Sequence, residues 1–283
     1  MIRLLKHSVR NLLTIAGRVY VPGSRLADAL RIADKVTVRG MKVTLGYFPH
    51  MSDTPSNLND ISCSIIDAIS ERYTDAYPSV KVPAFRYDSA LIAQVVKRAQ
   101  QFGLLTHFDS HEIHTADATF ECLREAALLG GRLGITLPGR WRRSVDDAQL
   151  VKALSVRPRI VKGEWADPTE PNRDRSRGFL EVVDSLNGYA GEVALATHDA
   201  QLVRESLKRL HASGTSCQIE LLNGLPKREV LAVAREYGVG VRIYVPFGIA
   251  WRPYAMNKVR ENPRILFWLL NDTMKGLLAT LRP

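Results

Sequence analysis

The chain is poor in the features that mark secreted, membrane-spanning or metal-dependent proteins. Its three cysteines, Cys63, Cys122 and Cys217, are odd in number and isolated, with neither C-x-x-C nor other zinc spacing. That argues against a disulfide framework or a zinc site and fits reduced side chains in a cytosolic protein. No stretch approaches the roughly 18 apolar residues of a membrane-spanning helix. The start is basic and amphipathic, with Arg3, Lys6 and Arg10 among Leu4, Leu5, Leu12 and Leu13. It has no long apolar segment and no small-residue cleavage site, so neither secretion nor membrane spanning is expected. Internal repeats, low-complexity tracts and Gly/Ser linkers are also missing, which makes one domain the default.

The net charge of +10 comes without a recognised nucleic-acid-binding motif, and its basic residues are spread along the helical stretches. Solvated faces, or attraction to an anionic membrane surface, explain it, and no nucleic-acid partner is expected.

What is present is a strand-then-helix alternation over 283 residues. After a first helix and a second predicted from Ser24 to Arg39, ended by Gly40, short β-branched runs recur at Lys42 to Phe48, Ser79 to Phe85, Leu104 to Phe108, Arg132 to Leu137, Pro158 to Val161, Glu192 to Ala196, Cys217 to Leu222 and Gly240 to Val245. Between them, helical patterns cover Ser89 to Phe102, Asp117 to Leu129, Val145 to Leu154, Arg175 to Ser185, Asp199 to Ser213 and Pro226 to Tyr237. Strand and helix in alternation demand a parallel sheet, and eight repeats close it. The expectation is an α/β fold, a (β/α)8 TIM-like barrel over residues 41–283 preceded by an N-terminal helical segment over 1–40. The polar, Pro-rich connection Ala166 to Gly178 is a candidate mobile lid.

The segment Val241 to Pro263 reads as a last buried strand feeding a helix on which Tyr254, Asn257, Lys258 and Glu261 share one face. That face is either an ordinary solvated one or the mouth of a pocket, since α/β folds keep their sites at the C-terminal ends of strands. Arg159-Ile160-Val161-Lys162-Gly163 closes strand five, Thr197-His198-Asp199 follows strand six, and Ser79-Val80-Lys81-Val82 places a lysine on strand two. An inward lysine is costly unless paired, and Asp109 after strand three is its natural partner.

Taken together, these motifs resemble the flavin-dependent proline dehydrogenase family. There the corresponding patterns are R-x-V-K-G, T-H-N, S-I-K-L, E-F-Q-x-L-x-G-M on strand seven, and R-x-Y-x-P-x-G followed by Y-x-x-R-R-x-x-E. Arg242, Tyr244, Pro246, Gly248, Tyr254 and Glu261 fall in place. On strand seven, Gln218-Ile219-Glu220-Leu221-Leu222 has the polar residues exchanged. The resemblance implies noncovalent FAD at the C-terminal strand ends and oxidation of a ring C–N bond of proline, or of a proline-like cyclic secondary amine, to an imine by hydride transfer to the flavin, with a membrane quinone or another molecule as electron acceptor. It implies cofactor contacts from Arg159, Val161, Lys162, Gly163, Glu164, Trp165, Thr197 and His198. Lys81, Asp109, Arg159 and Tyr244 would form the catalytic set, and Tyr47, Leu222, Tyr254, Asn257, Lys258 and Glu261 would contact substrate. The expected location is cytoplasmic, with peripheral attachment to the inner face of a membrane as a further expectation.

Departures from the pattern are as informative. Pro138 stands where the family has a flavin-bonding Gln, and Glu164 where it has Ala. Tyr47 replaces a Glu that pairs with the first of two carboxylate-binding arginines, while those arginines are Asn257 and Lys258. An Arg fork holds a carboxylate bidentately, Lys is a point charge and Asn is neutral, so the carboxylate clamp is weakened. Two readings from other classes stand beside this one. In the first, His107, Asp109 and His111, with His114, serve a metal-dependent barrel hydrolase. In the second, a non-catalytic barrel has lost its cofactor.

Overall fold

The computed structural model describes residues 23–250. Within them lie helix α1 (Leu26–Thr37), then β1 (Lys42–Tyr47), α2 (Pro55–Ser70), β2 (Tyr77–Val80), α3 (Ser89–Gln101), β3 (Leu105–Phe108), α4 (Ala116–Ala127), β4 (Arg132–Pro138), α5 (Ser144–Ala153), β5 (Arg157–Val161), α6 (Arg175–Ser185), β6 (Val193–Ala196), α7 (Ala200–Ala212), β7 (Cys217–Leu222), α8 (Arg228–Tyr237) and β8 (Val241–Phe247). The eight parallel strands pair in sequence order, and β8 returns to β1 from Lys42↔Arg242 to Tyr47↔Phe247, closing the barrel. The expected (β/α)8 architecture is therefore present. The first helix and the segment carrying Tyr254, Asn257, Lys258 and Glu261 lie outside the described residues.

Alternation along each strand divides the barrel into two compartments. Val43, Leu45, Val80, Phe108, Ile135, Leu137, Ile160, Leu195, Ile219, Leu221, Ile243 and Val245 face outward and are buried with the apolar stripes of the helices. The opposite face points to the axis and is polar: Thr44, Tyr77, Ser79, His107, Thr136, Arg157, Arg159, Gln218, Glu220 and Arg242, each at most 9% exposed. The main apolar core is thus a ring between strands and helices, and the axis is filled mainly by charged and hydrogen-bonding groups, with Leu105 and Ala194 among them.

Local chemistry sets the element ends. Thr54, Asp88, Asp174 and Asp199 have extended backbones and accept from N–H groups in the first turns of α2, α3, α6 and α7, the usual N-cap arrangement. Gly238 takes φ +66° where α8 stops, a conformation that carries no penalty without a Cβ.

Strand two differs from expectation. It spans Tyr77–Val80, and Val82–Phe85 is a turn of 3₁₀ helix, because Pro83 brings no N–H to a ladder. Arg86 and Tyr87 follow at φ 52° and 59°. The connection Ala166 to Gly178 is not loose either. Asp167, 3% exposed, accepts from the Arg142 N–H at 3.0 Å and from the N–H and hydroxyl of Thr169 at 2.9 and 2.7 Å. Arg173 donates to the Gly139 carbonyl at 3.1 Å.

Candidate active site

The inward residues build the site from the floor upward. At the N-terminal end of the barrel, Arg242 donates to the Val43 and Asp75 carbonyls at 2.7 and 2.6 Å and to Gln218 Oε1 at 2.8 Å. Arg157 reaches the same Gln218 oxygen at 3.1 Å, Glu192 at 2.8 Å and Glu220 Oε1 at 2.8 Å. Tyr77 also donates to Glu220. One layer higher, Arg159 Nε donates to Glu220 Oε2 at 2.6 Å. Burial alone would raise the Glu220 carboxyl pKa, but Arg159, Arg157 and Arg242 outweigh it and hold the group well below the usual range.

At the top, Asp109 gathers the remaining groups. Lys81 donates to Oδ2 at 3.1 Å and Thr136 to Oδ1 at 3.1 Å, while Arg159 Nη1 and the Tyr244 hydroxyl stand at 3.5 Å. The cost of burying Asp109 is more than offset by Lys81 and Arg159, which keep it ionised. Tyr244 is pushed up by burial and then by the Asp109 charge, so it is a neutral donor. Since Thr136 gives its proton to Asp109, its oxygen accepts from His107 Nε2 at 2.8 Å. His107 Nδ1 is left without a partner. Burial, then the Arg159 charge, holds His107 neutral by lowering its pKa well below 6.5.

Above this layer opens a cavity of about 860 Å³, with Lys81, Asp109, Arg159, Tyr244, Leu222, Val161, Gly163, Glu164, Trp165 and His198 among its lining. That volume suits a ligand larger than an amino acid. Of the expected site residues within the described range, Tyr47, Lys162 and Thr197 do not line it. Tyr47 donates to Asp53 at 2.9 Å, Lys162 pairs with Asp199 at 2.8 Å, and the Thr197 hydroxyl accepts from the Asp199 N–H at 3.2 Å. His198 Nε2 accepts from the Leu222 N–H at 2.9 Å, so Nδ1 carries the proton and bonds the Pro226 carbonyl at 2.7 Å. Both ring nitrogens thus hold main chain. The expected His198 contact to phosphate through a ring nitrogen is not prepared here.

The His107, Asp109, His111 cluster does not converge as a metal site. His107 is wholly buried against Thr136, Asp109 turns to Lys81 and Arg159, and His111 stacks on Trp165 with centroids 5.4 Å apart. Among the described residues no group of three or more potential ligands is assembled. Phe48, Thr136 and Glu220 line the cavity as well. Phe48 carries the Lys81 ammonium 4.2 Å above its ring. Sequence reasoning missed the roles of Thr136, Glu220 and Arg157, although the two-residue strand period places 157 with 159 and 220 with 222.

Two observations test whether an isoalloxazine fits. Arg159 is 4% exposed and lines the cavity, and its Nη2 has no partner. Gly163 has φ +87°, and a Cβ there would come within 3.0 Å of Pro138 and Arg140. The fixed guanidinium donor among the cavity lining suits a planar, hydrogen-bond-accepting ring system, whereas the glycine is required by its own neighbours, Pro138 and Arg140, and speaks neither for nor against the ring.

A parallel eight-stranded barrel with a charged, hydrogen-bonding mouth at the C-terminal strand ends is a (β/α)8 enzyme scaffold. No family model matches the chain. Its sequence is 22% identical over 278 residues to proline dehydrogenase 1 of Bacillus subtilis subsp. natto, covering 92% of this chain and 91% of that protein. It is also 22% identical over 279 residues to the proline dehydrogenase of Deinococcus radiodurans, covering 91% and 89%. The fold is similar to that of proline utilization A from Bdellovibrio bacteriovorus, with a TM-score of 0.78 at 15% identity, over 93% of this chain and 34% of that one. Proline utilization A from Bradyrhizobium japonicum gives 0.71 at 17% identity, over 87% and 30%. The chain therefore spans about a third of those structures and nearly all of the curated relatives. Over nearly its whole length the chain is thus similar in sequence to proline dehydrogenases, which are oxidoreductases, and it shares their barrel fold with the proline utilization A structures.

Proposed function

We propose that the chain is an FAD-dependent dehydrogenase that oxidises the ring C–N bond of proline, or of a proline-like cyclic secondary amine, to an imine. The observation that carries this reading is the unpartnered Nη2 of Arg159, fixed at the cavity floor by Glu220 and Asp109. FAD supplies hydride acceptance when bound. Arg159 would hold its ring, with Val161, Gly163, Glu164 and Trp165 forming the cradle and Lys162, Thr197 and His198 beside it. Lys81 and Asp109 would set the polar wall over the substrate. Tyr244, with Leu222, would pack the substrate ring, and the neutral phenol of Tyr244 would donate a hydrogen bond without adding charge. Positioning and electrostatics are the protein's share of such a reaction.

Tyr47 in place of Glu, with Asn257 and Lys258 in place of two arginines, supports a substrate whose carboxylate is absent, esterified, carrier-linked or differently placed. Losing one charge-assisted contact costs about 1.5 to 3 kcal/mol, roughly ten- to a hundredfold in affinity. The proposed arrangement is a helical segment over 1–40 with the catalytic barrel over 41–283, in the cytoplasm, passing electrons to a membrane quinone or another acceptor from the inner membrane face. No described helix is long and apolar enough to cross a membrane.

The test is the absorbance spectrum of the purified protein supplied with FAD, followed by anaerobic addition of L-proline and then of carboxylate-free pyrrolidines. Flavin bands that bleach with one compound are expected and identify its class. Failure to take up FAD would count decisively against the proposal.

A further inference from the structure

Gln218 and Glu220 both point to the barrel axis from β7, one layer apart, a separation of roughly 7 Å. Gln218 Oε1 sits between Arg157 and Arg242, at 3.1 and 2.8 Å. Glu220 sits higher and places Oε2 2.6 Å from Arg159 Nε. Both side chains are 2% exposed, so neither charge nor amide is screened by solvent. The order is the reverse of the E-F-Q pattern that this strand resembles. Here the carboxylate occupies the layer of the guanidinium that faces the cavity, with its second oxygen 2.8 Å from Arg157 below, and the amide takes the layer between Arg157 and Arg242.

That order has an electrostatic consequence. A guanidinium beside a bound isoalloxazine favours the electron-rich reduced ring, and a carboxylate bonded to that guanidinium cancels part of the field. In a buried site the cancellation is large, because each charge interaction is stronger where the effective dielectric constant is low. Building on the flavin reading above, we propose that Glu220, acting through Arg159, lowers the electron affinity of the site's flavin relative to a barrel with the amide in that layer. Glu220 is thus a positioning and tuning residue.

The exchange Gln218→Glu with Glu220→Gln tests this, because it keeps composition and net charge and moves the carboxylate down one layer, between Arg157 and Arg242. FAD-loaded parent and double variant are titrated anaerobically against reference dyes. The double variant is expected to shift the reduction equilibrium at least tenfold toward the reduced form, about 30 mV upward for a two-electron couple. Glu220→Gln alone is expected to shift it in the same direction with a larger loss of stability, and it provides a second reading. An unshifted or lowered potential in either flavin-bearing variant overturns the inference alone. A parent chain that takes up no FAD overturns the flavin reading and the inference with it.

Discussion

The Tyr47 hydroxyl donates to Asp53 Oδ2 at 2.9 Å, and the same oxygen accepts from the His50 N–H at 2.7 Å. The end of β1 is thereby tied to the loop whose His50, Met51 and Asp53 line the cavity. Burial, then Asp53, pushes the phenol up to about 12, so it remains a donor at any physiological pH.

Tyr47→Phe should cost about 1 kcal/mol and speed amide exchange in residues 48–53 while leaving the strands protected. Hydrogen exchange read by mass spectrometry checks this, and unchanged loop exchange would show that the bond does not hold the loop. Restoring the carboxylate-clamp pattern by Tyr47→Glu, Asn257→Arg and Lys258→Arg together should raise kcat/KM for L-proline ten- to a hundredfold. No gain in the triple variant would refute the altered-carboxylate reading.

Asp109 neutralises Lys81 and stands against Arg159, both nearly inaccessible to solvent. Asp109→Ala leaves Lys81 without its carboxylate, while Arg159 keeps Glu220, and should cost about 3 to 5 kcal/mol, whereas Asp109→Asn keeps an acceptor for Thr136 or Lys81 and should cost less. Denaturant midpoints of the two variants decide the matter. Midpoints equal to that of the parent would mean that the charge of Asp109 does not stabilise the barrel, and midpoints equal to each other would mean that the retained acceptor contributes nothing.

Acid should weaken the fold in two stages. His107 is neutral when folded, with a pKa below its unfolded value of about 6.5. The unfolded chain therefore binds the extra proton first, and stability falls as pH drops below about 6.5. Asp109 and Glu220 are depressed instead, so their contribution is full above the unfolded carboxylate range of about 4 and is lost as pH falls below it. Thermal unfolding followed from pH 7 to 3 should show both declines. His107→Asn should reduce the upper one, to which His111, also lowered by burial, adds a part.

Asp199 serves two neighbours, the Leu202 N–H at 3.1 Å and Lys162 at 2.8 Å. Asp199→Asn retains the N-cap and releases the lysine. The pair is about one third exposed, so its net worth is modest, roughly 0.5 to 1 kcal/mol. If Lys162 serves the cofactor, FAD should bind two- to fivefold tighter to the variant, more so at low salt. Flavin fluorescence quenching measures it. Unaltered affinity would place Lys162 outside the cofactor site.

The barrel was legible because short β-branched runs alternate with helical patterns along the sequence. Helix α2 was not. Its sequence, PSNLNDISCSIIDAIS, is dense in Ser, Asn and Asp, residues whose side chains compete for backbone groups and favour turns. Its apolar stripe is interrupted by Ser62, which instead donates to the Leu58 carbonyl at 2.7 Å. The Lys81 to Asp109 pair could be read from the cost of an inward lysine. The Arg157, Glu220 and Gln218 network could not be read the same way, since a charged residue in a short strand also reads as a solvated edge. Only the closed register shows that these residues meet across the axis.

Because the apolar ring lies between strands and helices while ionic and amide groups fill the axis, the layer that forms the barrel and the layer that tunes its chemistry are made of different residues on the same eight strands. Exchanges along the axis that conserve charge, such as carboxylate for amide two positions apart, leave the outward face untouched. Such a scaffold can drift in redox character and ligand preference while its folding signal stays fixed, and a lineage can change substrate without first passing through an unstable barrel.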